Sequence, residues 1–347
     1  MAAAVSAAAP SRALAVERCL ALGTDSALVL VSDGDAPPRL LKSVNHTDKD
    51  AKLRVRREIE LLGAAAGCDL TVGCHGWISH ADRSEILLDY LPGGCLDTLL
   101  ERNGSLSASS ARFYVACAAA ALEFLHARDL VHRDVKPSNL VVDAAGYARL
   151  VDFGFARRLA PGERSVSLLG TPEYLAPEIF LNEGHAAPVD LYALGATLHE
   201  LLTDTHPFTG DDPQQVYAAA LRGELLWPHP SLEAAPTAEL VRSLLARAPE
   251  ARPTASRVLD HAFVATGAGC KPQPQPPMDA DAIRRHAVPP PFVPRLRSPL
   301  DASHFDPPDD EDAAAAAVVE ARERIGAAAN WRAPAEAEAD EPGCGIT

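Results

Sequence analysis

The chain is expected to fold as an α+β protein in two lobes, the first small and strand-rich, the second larger and helical. Three observations predict this. Apolar runs separated by turn residues fill residues 16–91, a Pro92-Gly93-Gly94 break follows, and helical patterns dominate from Ser107 to Phe263. With 347 residues there is room for one large two-lobed domain and a tail. A hydrophobic fraction of 47%, rich in alanine, still supports a core although aromatics are only 5%.

In chain order, residues 1–15 are alanine-rich, carry one Arg and no acid, and are expected to be disordered. Ala27–Val31 and Arg39–Lys42 flank a turn at Asp33-Gly34-Asp35, as a hairpin requires. Thr47 or Asp48 should cap a helix running to about Ala65, with Gly67 beyond it. On that helix Val55, Ile59 and Leu62 form an inward stripe, with Glu58 at its edge. Cys74–Ser79 and Glu85–Tyr90 read as a second strand pair. Residues 92–265 should hold helices near Ser107–Ala127, Ala187–Thr203, Pro213–Arg222 and Thr237–Ala246. The apolar stretch Phe113–Leu125 is short for a bilayer and reads as a buried helix. Residues 266–310 turn proline-rich, and 311–347 are acidic, alanine-rich and of low complexity. That tail cannot bury enough apolar surface to fold alone, although Asp312–Ala329 has helical propensity.

A formal charge of −15 argues against non-specific binding to nucleic acid or anionic membrane. Seven cysteines, odd in number and without a CxxC pair, read as reduced thiols, so a cytoplasmic setting is expected.

The chemistry sits in Val131-His132-Arg133-Asp134-Val135-Lys136-Pro137-Ser138-Asn139, followed eighteen positions after Asp134 by Asp152-Phe153-Gly154. Phosphoryl transfer needs a clamp on the phosphates, metal ions, and a carboxylate to orient the attacking hydroxyl. Asp134 can be that carboxylate, Lys136 can offset charge on the transferring group, and Asn139 and Asp152 are hard oxygen ligands of the kind Mg²⁺ takes. Leu140–Val142 and Ala148–Val151 read as a strand pair that folds Asp152 back toward Asn139.

Together these residues resemble the protein kinase signature set. The likeness continues through Gly170-Thr171-Pro172-Glu173-Tyr174-Leu175-Ala176-Pro177-Glu178, Asp190–Gly195 and Arg252 in Arg-Pro-Thr. It implies that Glu178 and Arg252 form a buried clasp and that Arg133 and Asp190 are structural. Asp152–Arg158, Leu181–His185 and Glu200–Thr203 resemble the AGC group, and most of all the cGMP-dependent protein kinases. Pro291–Pro294 and Ser298–Asp306 look like the AGC C-terminal extension that wraps over the N-lobe. The implied activity is a serine/threonine kinase using ATP and Mg²⁺ on protein substrates with upstream Arg or Lys, with an upstream activator or regulatory subunit as a further partner. No cyclic-nucleotide-binding domain is read in the chain. Glu200 matches one of the family's substrate-reading acids, while Ser138 and Cys95 replace others. Ser167, three residues before Gly170, stands at the activating phosphosite and would pair with Arg133 once phosphorylated.

The small lobe departs from that pattern. The resemblance makes Lys42 the candidate phosphate-binding lysine and Glu58 its expected partner. The phosphate-covering loop is reduced to Leu22-Gly23-Thr24-Asp25-Ser26-Ala27-Leu28-Val29-Leu30, one glycine of three, with Asp25 where phosphates would lie. Leu22, Gly23, Leu30, Asp89, Leu91 and Val141 are assigned to the ATP site. Leu40, two residues before Lys42 and on the same strand face, stands where the family has Ala and should crowd the base. These departures support a second reading, a pseudokinase scaffold with weakened ATP binding.

Overall fold

The computed structural model describes residues 14–34, 36–228, 236–271, 275–325 and 331–334. Of the segment expected to be disordered, residues 1–13 lie outside the described residues. Leu14 is buried and Ala15 opens the first strand, so the ordered chain begins two residues earlier than expected. Two compact units emerge: residues 1–67, 72–92 and 295–347 form one, and 68–71 with 93–294 form the other. The segment 266–310, expected as one extension, is therefore shared between them at Pro294.

The first unit is a five-stranded antiparallel sheet: β1 (Ala15–Leu22), β2 (Ser26–Ser32), β3 (Arg39–Asn45), β4 (Cys74–Ser79) and β5 (Arg83–Asp89), in the order β1-β2-β3-β5-β4. Strand alternation sends Val29, Val31, Leu41 and Leu87 to one face, where all four are fully buried. Each such side chain contributes about 1.5–3 kcal/mol relative to exposure. Leu30, Leu40 and Leu88 form a cross-strand row on the other face, with Lys42 two residues on from Leu40. Helix α1 (Ala51–Ala64) buries Val55, Glu58, Ile59, Leu61 and Leu62. Its N-cap is Asp50 rather than Thr47 or Asp48: the Asp48 carboxylate accepts the Asp50 N–H at 2.8 Å and holds Arg54, which keeps it outside the helix.

The C-terminal residues complete this unit. Glu311–Ile325 form a helix whose Ala321 and Ile325 pack on Leu14, Val16, Val29 and Val31. Arg322 donates to the Val16 carbonyl, and Arg83 pairs with Glu320 at 2.6 Å. Arg332 then pairs with edge residue Trp77 through two backbone hydrogen bonds of 3.0 Å, and Trp331 lies over Gly76, where a Cβ would meet its ring at 3.3 Å.

The second unit contains α2 (Leu96–Asn103), α3 (Ala108–His126), α4 (Pro177–Phe180), α5 (Pro188–Thr203), α6 (Pro213–Arg222), α7 (Pro236–Leu244), α8 (Ala255–Asp260), α9 (Ala262–Thr266) and α10 (Ala280–Arg284). Two small strand pairs accompany them: β6 (Leu130–Val131) with β9 (Arg157–Arg158), and β7 (Leu140–Val142) with β8 (Ala148–Leu150). Helix α3 is 19 residues long and apolar enough to cross a membrane, longer than the stretch read in the sequence, but most of it is buried in this unit's core. Small alanines let neighbours approach it on every side, and its one buried cation, Arg112, donates to the carbonyls of Val264, Ala265 and Pro276.

Candidate active site

In the helical unit, Arg133 leaves β6 with φ 69°, a left-handed conformation that a non-glycine residue holds only when neighbours fix it. Asp190, near the N-terminus of α5, fixes it by accepting the backbone N–H of His132 at 2.9 Å and of Arg133 at 2.7 Å. His126 Nε2 donates to the same carboxylate at 2.8 Å. Burial alone would raise the Asp190 carboxyl, but the His126 hydrogen bond and charge, with His132 and the Arg133 N–H, hold it below its ordinary value.

The loop so held brings Asp134, Lys136 and Asn139 together, and Thr171 joins them from 35 residues beyond Lys136. Lys136 Nζ donates to Asp134 Oδ2 at 2.9 Å and to Thr171 Oγ1 at 2.8 Å. Asn139 Nδ2 donates to Asp134 Oδ2 at 2.7 Å and to the Asp134 carbonyl at 2.8 Å. The Thr171 hydroxyl lies 3.4 Å from Asp134 Oδ1. The β7–β8 pair closes as expected, and Val151 N–H donates to the Asn139 carbonyl at 3.0 Å. Asp152 follows with φ 59° and an exposed carboxylate, one oxygen of which accepts the Gly154 N–H at 3.2 Å. Phe153 is buried edge-on against His132, whose Nε2 donates to the Val151 carbonyl. Val141 lies on β7, half-buried, and Gly93 and Gly94 exchange backbone hydrogen bonds with Val142.

Arg133 extends its guanidinium to the Phe155 carbonyl at 2.6 Å, to Ser165 Oγ at 3.1 Å and to Ser167 Oγ at 2.7 Å. Burial, with the charge of Arg157 adding to it, pushes this guanidinium down to about 10. Glu178 and Arg252 form a bidentate pair of 2.6 and 2.8 Å, both nearly inaccessible, and Arg252 also lies over the Tyr192 ring. Glu200 is buried under Tyr174, whose hydroxyl donates to one carboxylate oxygen; His206 lies 3.7 Å from the other. Burial raises the Glu200 carboxyl. Cys95 caps α2, its sulfur accepting the Thr98 N–H at 3.5 Å.

In the small unit, Lys42 Nζ donates to Glu58 Oε1 at 2.6 Å, the two joined from β3 and α1. Leu22 ends β1, and only three residues separate it from β2. Gly23 N–H closes that turn onto the Ser26 carbonyl at 2.7 Å, and a Cβ at Gly23 would come within 2.8 Å of Ser26 Oγ. Asp89 ends β5, its carboxylate accepting the Gly73 N–H at 2.8 Å and meeting His75 at 2.7 Å; Leu91 is buried.

Sequence reasoning missed the contributions of Thr171, His126 and Tyr174. Thr171 was visible only as part of a quoted motif, since nothing local ties it to Lys136 35 residues away. The donor set fits Mg²⁺: Asn139 commits its amide nitrogen to Asp134, leaving a carbonyl oxygen, and Asp152 adds a carboxylate. Among the described residues no group of three or more His, Cys, Asp or Glu gathers for a metal. A two-donor set of this kind suits an ion that keeps water and phosphate oxygens as its remaining ligands.

Comparison with known proteins agrees with this geometry. A family model for the protein kinase domain matches residues 31–264. The cGMP-dependent protein kinase, isozyme 2 forms cD5/T2, of Drosophila melanogaster is 41% identical over 169 residues, 49% of this chain and 18% of that protein. The cGMP-dependent protein kinase, isozyme 1, of the same organism is 36% identical over 226 residues, 64% of this chain and 28% of that protein. The human cAMP-dependent protein kinase catalytic subunit PRKX is 34% identical over 250 residues, 70% of this chain and 65% of that protein. The chain spans less than a third of the length of these cGMP-dependent relatives. The matched region runs from β2 through α9 and takes in both Lys42–Glu58 and the Asp134 loop, so the chain belongs to the protein kinase domain family, with AGC kinases as its relatives.

Proposed function

We infer that the chain is a serine/threonine protein kinase that transfers the γ-phosphoryl group of ATP to hydroxyls flanked upstream by Arg or Lys. The observation that carries this reading is the Asp134–Lys136–Asn139–Thr171 constellation, with every member within hydrogen-bond reach of another. Asp134 accepts the proton of the substrate hydroxyl as its oxygen bonds to phosphorus and the bond to the ADP oxygen breaks. Lys136 donates to an oxygen of the transferring group, and Thr171 keeps its ammonium aimed. Lys42, oriented by Glu58, binds the ATP phosphates. Asn139 and Asp152 would hold Mg²⁺, which supplies charge neutralisation of the phosphates.

Glu200 is the acid assigned to substrate basic residues, with Asp97 and Asp204 adding to its negative surroundings. Ser167, held by Arg133, is the proposed activating phosphosite.

The scaffold reading is favoured by one specific observation, the three-residue turn between β1 and β2 with its single glycine. The deciding experiment is phosphoryl transfer from Mg·ATP to arginine-rich Ser/Thr peptides, with Asp152→Asn as control. Transfer is expected in the wild type and lost in the control; no transfer, or transfer unchanged by Asp152→Asn, sinks the enzyme reading.

A further inference from the structure

Glu200, in the last turn of α5, is a buried carboxylate whose two oxygens have different neighbours. The Tyr174 hydroxyl donates to one of them. The other faces His206 Nδ1 at 3.7 Å, too long for a hydrogen bond but close enough for an ionic contact. That Nδ1 is buried and makes no hydrogen bond among the described residues. The His206 side chain is 38% exposed against 11% for Glu200, so the imidazole is the more open member of the pair.

The imidazole is held in this place. Asp204 closes α5 with φ 57° and reverses the chain, and Thr203 Oγ1 accepts the Thr205 N–H at 3.2 Å. Buried His199 lies 3.0 Å from the Thr205 carbonyl and anchors the same turn. The His206 ring meets Tyr174 edge-on, with centroids 5.6 Å apart. Asp97 from α2 and Asp204 add negative potential at Glu200, and Glu173 does so at Tyr174. Burial holds the His199 imidazole below its ordinary value, so the cation that these acids favour falls to His206.

A substrate guanidinium needs a carboxylate oxygen with its charge unbalanced. Tyr174 covers one Glu200 oxygen without supplying charge. An imidazolium at 206 balances the other and repels a second cation brought to it. A neutral ring does neither, and imidazoles change charge between about pH 5 and 8.

We propose that His206 is a specificity-determining residue at Glu200. As an imidazolium it stands in for the substrate cation, and as a neutral ring it leaves the carboxylate to a peptide's Arg or Lys. The proposal rests on the kinase reading for Glu200 as a peptide-binding acid.

The test is binding of a rhodamine-labelled, arginine-rich peptide with alanine at the phosphorylation position, followed by fluorescence anisotropy at pH 6, 7 and 8. A peptide with norleucine for each arginine reports every pH effect except that of the cation. Wild-type affinity for the arginine peptide is expected to rise about fivefold from pH 6 to pH 8. His206→Gln should keep the high-pH affinity throughout and His206→Lys the low-pH affinity, with ligand-free melts at each pH checking that both fold. A His206→Gln protein with the wild-type slope overturns the proposal, because protonation of Glu200 itself then accounts for it. A flat wild-type profile, an equal slope for the norleucine peptide, or no binding of the arginine peptide also overturns it. Phosphoryl transfer from Mg·ATP is read separately. The expected binding pattern without transfer keeps the role of His206 and sinks the kinase activity; transfer with a flat binding profile does the reverse.

Discussion

Asp190 holds the backbone N–H of Arg133 at 2.7 Å across 57 residues of chain, and so sets the path of the loop that carries Asp134. Its carboxylate is a shared acceptor for two backbone donors and one imidazole, none of which water can replace at full burial. Asp190→Asn turns an amide toward at least one of these donors. The expected cost is about 3 kcal/mol in urea denaturation, with peptide phosphorylation falling further than stability alone accounts for. A variant as stable and active as wild type would remove Asp190 from this role. Because the Asp190 carboxyl is held below its ordinary value, its contribution is present above the unfolded carboxylate pKa and fades as pH falls through the lower, folded one.

Arg252 and Glu178 are buried together with two hydrogen bonds between them. Arg252→Met leaves Glu178 without its partner in a site closed to solvent, and a loss of about 3–5 kcal/mol is expected. The double variant Arg252→Met/Glu178→Leu should recover part of that loss, since it leaves no charge unpaired. Chemical denaturation of the three proteins measures both effects, and a double variant no better than the single one counts against the account.

Glu85 gives the fold a pH dependence of the opposite sense. Its side chain is fully buried beside the Ser43 hydroxyl, with Arg83, Arg324 and Asp82 around it, and burial pushes the carboxyl up to about 7. An acid raised on folding stabilises below its unfolded pKa, and that contribution is lost as pH rises through about 7. Between pH 5 and 8 the wild type should lose on the order of 3 kcal/mol that Glu85→Gln does not lose. Parallel melting curves across that window would show the Glu85 account to be mistaken.

Ser167 Oγ already accepts from Arg133, whose guanidinium is partly desolvated and flanked by Arg157. A phosphate there adds a counter-charge within reach of Arg133, while Arg157 already pairs with Glu163 at 3.2 Å. The Ser167-phosphorylated chain is expected to melt higher and to phosphorylate peptide about tenfold faster than Ser167→Ala, and Arg133→Ala should erase both gains. Equal rates for phosphorylated chain and Ser167→Ala would show that the serine is an ordinary loop residue.

Much of this arrangement was legible from residue order. The Lys42–Glu58 pair was expected from the kinase resemblance, with a helical stripe placing Glu58 at its edge, and the return of Asp152 toward Asn139 followed from two short apolar runs with a turn between them. Local pattern could not give the rest. The α2 helix was missed because its cap is Cys95, a poor acceptor that no capping rule flags. Glu200 was matched to a substrate-reading acid by resemblance, and nothing local showed that the Tyr174 hydroxyl covers one of its oxygens, a contact set by two distant segments. The helix 311–325 has propensity but little amphipathic pattern, so its docking on β1 was written in the sheet's exposed apolar face rather than in its own sequence.

The pairing of Trp77 with Arg332 also bears on how the chain behaves in company. Strand β4 is an edge of the five-stranded sheet, and an unpaired edge is a template for another molecule's backbone. By pairing Arg332 with Trp77, the chain caps its own edge at that residue. Loss of residues 331–334 should therefore first appear as self-association, with the interior of the sheet still intact.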